Sequence, residues 1–189
     1  YIIDNYTYFK ETANSLTGEI DLKRLASPFQ APDQIKYYKI KIENHNRIGK
    51  FSIINTAQYQ KKEQNNLDTN ELPTLNVPEW VTRNTLLYSN YVFNNSLFLQ
   101  TGITFNFFTK FYADYYNPLL SEFVTQNYKE IGEYPRFDFF VNATIQNTRI
   151  FIKVEHLNSS FTGYDYYSDP FNPYRDLSVR FGVVWNFFE

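Results

Sequence analysis

Apolar residues recur at every second position in several segments of the chain, and residues 177–188 show this pattern most clearly. Their odd positions are all apolar, whereas their even positions include Ser178, Arg180 and Gly182. A period of two is typical of a β-strand, because successive side chains point to opposite faces. A length of about ten residues, with aromatic residues near one end, is typical of strands that cross a bilayer. The pattern therefore predicts one face toward lipid and the other toward a polar interior.

Seven further segments are predicted to be strands; the alternation is clear in five of them, whereas the two faces of 1–10 and of 80–93 are left undefined. The seven segments are residues 1–10, 35–43, 48–60, 80–93, 97–107, 136–146 and 149–157. Short turns are predicted at 44–47, 93–95 and 147–148, and long connections at about 11–34, 61–79, 109–134 and 158–174. Within the third long connection, the strand-like pieces 111–116 and 122–128 are expected to extend the wall above the membrane.

This alternation of short and long connections predicts the fold class. Bacterial outer-membrane barrels have short periplasmic turns and long extracellular loops. We therefore expect an all-β, antiparallel transmembrane β-barrel with about eight strands in this chain, which is expected to be part of a larger barrel. The C-terminus is predicted to be periplasmic and the long loops extracellular, and residues 1–189 are expected to form a single β-barrel domain.

The composition narrows the class of protein. Hydrophobic residues make up 43% of the chain, yet the mean hydropathy is negative. No run approaches the roughly 18 apolar residues of a membrane helix, so a helical membrane protein is excluded. Aromatic residues reach 20%, with 17 Tyr and 19 Phe, which favour strands and bilayer interfaces. A net charge of -2 gives no support for nucleic-acid binding.

Two residue types are missing from the sequence. The chain has no Cys, which rules out a Cys-based metal site or nucleophile. It also has no Met, so Tyr1 is not a translation start. We expect the chain to be a fragment whose N-terminal portion is missing.

Five charged residues are candidates for a transport role. By strand parity they lie opposite the apolar band and are predicted to face the lumen: Asp138, Arg149, Lys153, Glu155 and Arg180. Charges on a lumen wall tune ion preference, and the mixed sign of these five predicts weak selectivity. An alternative of equal weight is a salt-bridged plug, with pairs such as Asp138 with Arg149 or Lys153 across adjacent strands.

The remaining polar residues give little support for catalysis or metal binding. His45 and His156 are the only histidines, too few for a metal site, and we expect no metal and no cofactor. His156 near Ser159 and Ser160 is weak support for a serine hydrolase, so no enzyme activity is predicted. The Tyr-rich loop at 164–174 offers rings that stack on sugars, or that pack the loop upon itself.

Several separated stretches of the chain resemble one family, the putative porins of the Bacteroidetes, which are large outer-membrane β-barrels. The stretches are LFLQTG at 97–102, FTKFYADYYNPLLSE at 108–122, IGEYP at 131–135, FFVN at 139–142, RIFIKVEHLNSSFTG at 149–163 and YRDLSVRFGVVWNFF at 174–188. The resemblance covers the chain from about residue 80 onward. Family members are usually much longer, so the resemblance implies a C-terminal portion of a barrel.

The last strand also resembles the β-signal that the barrel-assembly machinery recognises, in which a polar residue is followed by glycine and two spaced aromatics. Here these positions are Arg180, Gly182, Trp185 and Phe187. The chain departs from the pattern at its end, which is Glu189 rather than an aromatic residue. The resemblance implies the assembly machinery as a partner during biogenesis.

The resemblance implies a porin-like barrel for passive diffusion of small polar solutes. Its surroundings would be outer-membrane lipid and lipopolysaccharide, and a membrane-protein complex or a homo-oligomer is compatible with it. Because eight strands alone fill their interior with side chains, an open passage requires additional strands. The alternatives are a small plugged barrel with a structural, adhesive or complex-subunit role, and a soluble all-β carbohydrate-binding module with loops of similar length at both ends.

Overall fold

The computed structural model describes residues 1–12, 25–31, 34–64, 74–161, 163 and 165–187, which form strands and turns. In chain order the strands are β1 Ile2–Ile3, β2 Thr7–Thr12, β3 Leu25–Gln30, β4 Ile35–Ile48, β5 Phe51–Gln64, β6 Trp80–Val92, β7 Leu97–Phe108, β8 Phe111–Tyr112, β9 Tyr115–Asn117, β10 Glu122–Thr125, β11 Glu130–Ile131, β12 Arg136–Ile145, β13 Thr148–Glu155 and β14 Ser178–Trp185. Within this described part, no helix is long and apolar enough to span a membrane.

Eight of these strands form one large antiparallel sheet in the order β1-β4-β5-β6-β7-β12-β13-β14. Seven of them are long, from 8 residues in β14 to 14 in β4, whereas β1 has 2 residues. The prediction of an all-β antiparallel fold is confirmed. Among the described residues the sheet does not close, because β1 and β14 lie at its two ends and do not pair with each other.

All three short turns lie at one end of this sheet. They join β4 to β5 at Gly49 and Lys50, β6 to β7 at residues 93–96, and β12 to β13 at residues 146–147. The turn predicted at 44–47 is wrong, because β4 continues to Ile48 and Gly49 supplies the positive φ of 61° that the turn needs. We call this end of the sheet the turn end and the opposite end the outer end.

The first strand of the sheet is much shorter than predicted. Of residues 1–10, only the first three pair with β4, Tyr1 through backbone hydrogen bonds with Tyr37, and the chain then turns away at Asn5, whose φ is positive. Residues Thr7–Thr12 instead join a separate four-stranded sheet of order β3-β2-β10-β9, in which β2 and β10 are parallel. The prediction that residues 1–10 form a wall strand is therefore wrong.

The long connection between β7 and β12 also folds differently from the prediction. Its four short strands do not extend the wall: β9 and β10 belong to the four-stranded sheet, and β8 pairs with β11. The connection between β7 and β12 leaves the large sheet at its outer end, and its strand β10 pairs with β2, which pairs with β3. We therefore call β2, β3 and β8–β11 the outer platform. A bond of 3.2 Å from Asn76 Nδ2 to Asp114 Oδ1 ties the connection before β6 to this platform. Burial raises the pKa of the Asp114 carboxyl above its ordinary value.

The two faces of the large sheet differ from those of a water-soluble protein, because large apolar side chains remain exposed along one face while polar side chains at the centre of the other are buried. On one face, Phe181 is 80% exposed and Val183 and Ile42 are each 64% exposed. On the other face, Thr104 is 5% and Asp138 is 6% exposed. We call these the apolar face and the polar face. Apolar side chains that remain exposed over a whole sheet are expected where the solvent is lipid.

Charge is also distributed unequally between the faces. In the seven long strands, the register places only three charged residues on the apolar face, and all three lie near its outer end: Lys36, Lys61 and Glu63. Its other polar members include a row of register partners formed by Asn44, Asn55 and Asn84. The band between the outer end and the turns is therefore free of charge on this face.

Two glycines on the polar face lie beneath phenylalanine rings of the neighbouring strand. Phe140 is the register partner of Gly102, and Phe151 is that of Gly182. A Cβ at residue 182 would lie 2.5 Å from Phe151 Cε1, and its three nearest neighbours would all be atoms of this ring. A Cβ at residue 102 would overlap the backbone oxygen of Leu86 and lie 2.9 Å from Phe140 Cζ. The rings can lie against the wall because glycine has no side chain.

This difference predicts two distinct double-mutant cycles. Gly182→Ala should lower the free energy of unfolding by about 1–3 kcal/mol, the usual cost of overpacking, and a Phe151→Ala background should remove most of that cost. Gly102→Ala should keep its cost in a Phe140→Ala background, because the Leu86 backbone remains in place. Denaturant titration in detergent micelles measures both cycles. An equal cost of Gly182→Ala with and without the Phe151 ring would contradict the packing described above.

Candidate functional site: the polar face of the sheet

The polar face is the candidate functional site, because the residues predicted to face a lumen all lie on it. Register partners in antiparallel strands lie directly opposite each other on the same face. One continuous row of partners crosses all seven long strands: Arg47, Ser52, Leu87, Gly102, Phe140, Lys153 and Arg180. Three residues of this row are cations and none is an anion. The row shows that positions far apart in the sequence share one level of the wall.

A cavity of about 810 Å³ opens on this face. Its charged lining residues are Arg83, Asp138, Lys153, Glu155 and Arg180. Thr85, Thr104, Asn142 and the rings of Phe140 and Phe151 also line it, and Ile152 and Phe181 of the apolar face border it as well. Four of the five predicted residues are thus brought together around one space.

Arg149, the fifth predicted residue, lies apart from the others. Its register partners are Thr144 and Val184, near the turn end of the sheet. It borders a second cavity, of about 380 Å³, together with Gln100 and Asn142. The wall therefore carries a second polar recess closer to the turns.

The ion pairs within the site include one across adjacent strands, between Glu155 and Arg180, but not the pairs predicted for Asp138. The two carboxylate oxygens of Glu155 pair with different cations. Oε1 lies 2.8 Å from Lys153 Nζ, and Oε2 lies 2.8 Å from Arg180 Nη2. Asp138 pairs with Arg136 at 3.8 Å and with neither Arg149 nor Lys153. Arg149 lies opposite Thr144, six residues along β12 from Asp138, a separation of roughly 20 Å at the rise of a strand. The predicted pairing of Asp138 is therefore wrong.

Asp138 is held in place by the backbone that follows β13. Its Oδ1 accepts a hydrogen bond of 3.0 Å from the His156 backbone N–H, and its Oδ2 accepts one of 3.3 Å from Asn106 Nδ2. The carboxylate thus fixes the point where the chain leaves β13. Asp138 therefore positions the start of the loop between β13 and β14, and it also lines the cavity.

The side chain of His156 is fully buried beside this point, in a cluster of tyrosines. Its ring lies 4.5 Å from the Tyr166 ring and 5.7 Å from the Tyr174 ring, centre to centre. Nδ1 donates to the Arg175 backbone oxygen at 2.7 Å, which assigns the proton to that nitrogen because a carbonyl only accepts. The cluster fastens the loop between β13 and β14 to the outer end of the wall. Burial also raises the pKa of Tyr134, whose ring packs against the same histidine.

His156 and the nearby serines are not arranged as a nucleophile and its base. Ser159 Oγ accepts a hydrogen bond of 3.2 Å from the Leu177 backbone N–H, and the Ser159 backbone bonds to the His156 carbonyl. A serine nucleophile needs a hydrogen bond from its hydroxyl to the imidazole. The contacts of His156 and Ser159 therefore support a role in holding the loop. The absence of enzyme activity stays a prediction.

Part of the Tyr-rich loop packs inward rather than offering rings to a ligand. Tyr166 is 2% exposed, and Lys129 lies over the Tyr167 ring at 3.1 Å from its centre. Tyr164 lies outside the described residues. The rings described in this loop therefore favour packing of the loop upon itself over sugar stacking.

The residues of the predicted assembly signal extend from inside β14, at Arg180 and Gly182, to its last residue Trp185 and to Phe187 beyond it. The strand ends at Trp185, three residues short of the predicted end, although Asn186 N–H still bonds to the Asn147 carbonyl at 3.0 Å. The Trp185 and Phe187 rings stack at 4.6 Å, and both remain exposed. Phe188 and Glu189 lie outside the described residues. Recognition of these positions by the assembly machinery stays a prediction.

Seven further charged residues lie on the polar face and are not among the five predicted candidates: Lys39, Lys41, Glu43, Arg47, Lys62, Arg83 and Arg136. The alternation within 35–43 already places Lys39, Lys41 and Glu43 opposite the apolar residues of that segment, whereas the other four were missed. Alternation gives the two faces of one strand, and residues paired across a hairpin lie on the same face of the sheet. Applying both to every hairpin could have placed all of these residues on the polar face. The described residues contain no group of three His, Asp or Glu side chains that could hold a metal ion.

Comparison with known proteins gives one match. No curated protein and no solved structure matches the chain. A family model with the description "Putative porin" matches residues 1–189, so the match extends the resemblance seen from residue 80 onward to the first 79 residues. The chain belongs to the putative porin family.

Proposed function

We propose that the seven long strands form part of the wall of a transmembrane β-barrel in the outer membrane. In this proposal the apolar face meets lipid, and the polar face lines a passage through which small polar solutes diffuse. The observation that carries it is the row of large apolar side chains that remain exposed along one face, together with the charge-free band on that face. A charge at the bilayer midplane on a lipid-facing strand costs about 2–4 kcal/mol for Arg or Lys, so such a band is expected of lipid-facing strands.

Membership of a porin family supports an outer-membrane location in general terms. The position of the short turns supports the proposed orientation, with the turn end in the periplasm and the outer platform outside. Short turns at one end only also argue against the soluble carbohydrate-binding module, which was expected to have loops of similar length at both ends.

The open edges of the sheet support closure by additional strands. Beyond Tyr37, the edge of β4 that faces away from β5 has no strand partner among the described residues, and the edge of β14 that faces away from β13 has none either. An unpaired backbone group in hydrocarbon costs several kcal/mol, so strands that span a membrane close into a barrel. We propose that further strands pair with β4 and β14 in the complete protein, which also provides the diameter that an aqueous passage needs.

Cysteine labelling tests which face meets water. The chain has no Cys, so single substitutions give a clean signal. Val183 and Val184 are adjacent residues of the same type on opposite faces. In lipid vesicles, a charged maleimide should label Val184→Cys and leave Val183→Cys unlabelled, because lipid covers the apolar face.

A second pair, Val141→Cys and Asn142→Cys, repeats the comparison farther from the turns, where only the variant at residue 142 should react. Urea-unfolded protein serves as the control in which all four variants react. Because Val183 is 64% exposed, a soluble protein would label it readily, and rapid reaction of Val183→Cys in vesicles would overturn the membrane proposal.

Single-channel recording tests the passage itself. The full-length protein in a planar bilayer should give stepwise currents that scale with salt concentration, because an open polar lumen conducts ions. Bilayers with the lumen-facing variant Asn142→Cys should lose part of this current after reaction with a bulky maleimide, whereas those with Val141→Cys should not. Current at the bare-bilayer background would favour the plugged-barrel alternative over a porin.

A further inference from the structure

The polar face carries a large excess of positive charge, although the chain as a whole is slightly acidic. In the seven long strands, nine cations face this side: Lys39, Lys41, Arg47, Lys62, Arg83, Arg136, Arg149, Lys153 and Arg180. Three anions face it: Glu43, Asp138 and Glu155. The difference is six positive charges, compared with a net charge of -2 for the whole chain.

The three anions are all engaged by neighbouring cations. Glu43 pairs with Lys41 at 2.6 Å, and Asp138 pairs with Arg136. Glu155 pairs with both Lys153 and Arg180. The acidic groups of this face are therefore partly neutralised and offer little to a passing cation.

Five cations of the face have no acidic side chain within ion-pair distance among the described residues. They are Lys39, Arg47, Lys62, Arg83 and Arg149. The Lys62 ammonium group is occupied by the Leu75 backbone oxygen and by Asn76 Oδ1 at 3.3 Å. Arg83 is exposed and lines the large cavity, so its charge is available to a solute.

The register places several cations of the polar face, paired and unpaired, at two levels of the sheet. Arg83 and Arg136 are both register partners of Asn106, so they flank it at one level. Arg47, Lys153 and Arg180 share the level of Gly102, four residues nearer the turn end on β7. Arg83 and Arg136 are about two strand spacings apart, roughly 10 Å, so their potentials add across the space between them.

We infer that this wall selects small anions, such as chloride and solutes that carry a carboxylate or phosphate group. The inference rests on the proposed function, because it requires that the polar face line an open passage. A channel wall with one dominant sign of charge concentrates counter-ions and so favours their passage. It replaces the weak selectivity predicted from Asp138, Arg149, Lys153, Glu155 and Arg180 alone, whose charges nearly cancel.

Reversal potentials of the full-length protein under a potassium chloride gradient test this inference. The native channel should pass chloride more readily than potassium. Arg83→Gln should lower the chloride-to-potassium permeability ratio by about twofold near 0.1 M salt, where the Debye length of about 10 Å lets a wall charge act across much of a lumen. The effect should shrink near 1 M salt, where that length is about 3 Å.

Two residues of β4 provide a matched comparison. Lys39→Gln removes a cation from the polar face and should also lower the permeability ratio, which keeps the test independent of whether the Arg83 variant folds. Lys36→Gln removes the same charge from the apolar face, three residues away, and should leave the ratio unchanged. Equal effects of the two lysine variants would show that the face of the sheet does not matter and would overturn the inference.

The possible results separate this inference from the function on which it rests. If neither the native protein nor any variant gives a current, there is no open passage, and both proposals are overturned. If the native protein conducts with a chloride-to-potassium permeability ratio at or below one, the passage is supported and anion selection is overturned. A ratio above one that falls in Arg83→Gln and Lys39→Gln, and does not fall in Lys36→Gln, supports both.

Discussion

Backbone pairing between seven antiparallel strands is the interaction on which the rest of this structure depends. Because partners in adjacent strands lie on the same side of a sheet, the alternation in one strand is carried to the next without loss. The result is two continuous surfaces of opposite character, each assembled from residues that are far apart in the chain. Among the described residues, the same ladder leaves most of β4 and all of β14 without a partner on one edge. The pairing thus creates the two faces, and its incompleteness is the reason to expect more wall than these strands provide.

The alternation in the sequence was sufficient to predict the strands of the C-terminal half, and the lengths of the connections were sufficient to predict that the short turns lie at one end of the sheet. The alternation failed where local residue types were ambiguous. Residues 44–47 are polar and resemble a turn, yet Asn44 and Asn46 remain in the ladder opposite Asn55 and Ile53. The facing of residues 80–92 was unclear from their composition, and only the register with β5 assigns Arg83 to the polar face. The parallel pairing of β2 with β10 joins segments more than a hundred residues apart, which no local pattern specifies.

The candidate site was predictable in some of its members and not in its contacts. Parity correctly grouped Asp138, Lys153, Glu155 and Arg180 on one face, but which of them pair depends on offsets between strands that parity alone does not give. Asp138 shows this most clearly, because its partners include the His156 backbone, where the chain bends at a positive φ of 55° and leaves the sheet. The surplus of positive charge was hidden for a similar reason. It becomes visible only when seven strands are aligned, whereas each strand alone carries at most a few charges.

The ring of Phe151 over Gly182 has a consequence for how the last strand finds its place. Alternation distinguishes a shift of one residue, which would exchange the two faces, but it does not distinguish a shift of two, which preserves them. A shift of two residues would bring Arg180 or Val184 opposite Phe151, and their side chains would occupy the space that the ring now fills. Of these alignments, only the one that places Gly182 opposite Phe151 leaves room for the ring. A residue with no side chain decides between alignments that hydrophobicity treats as equal.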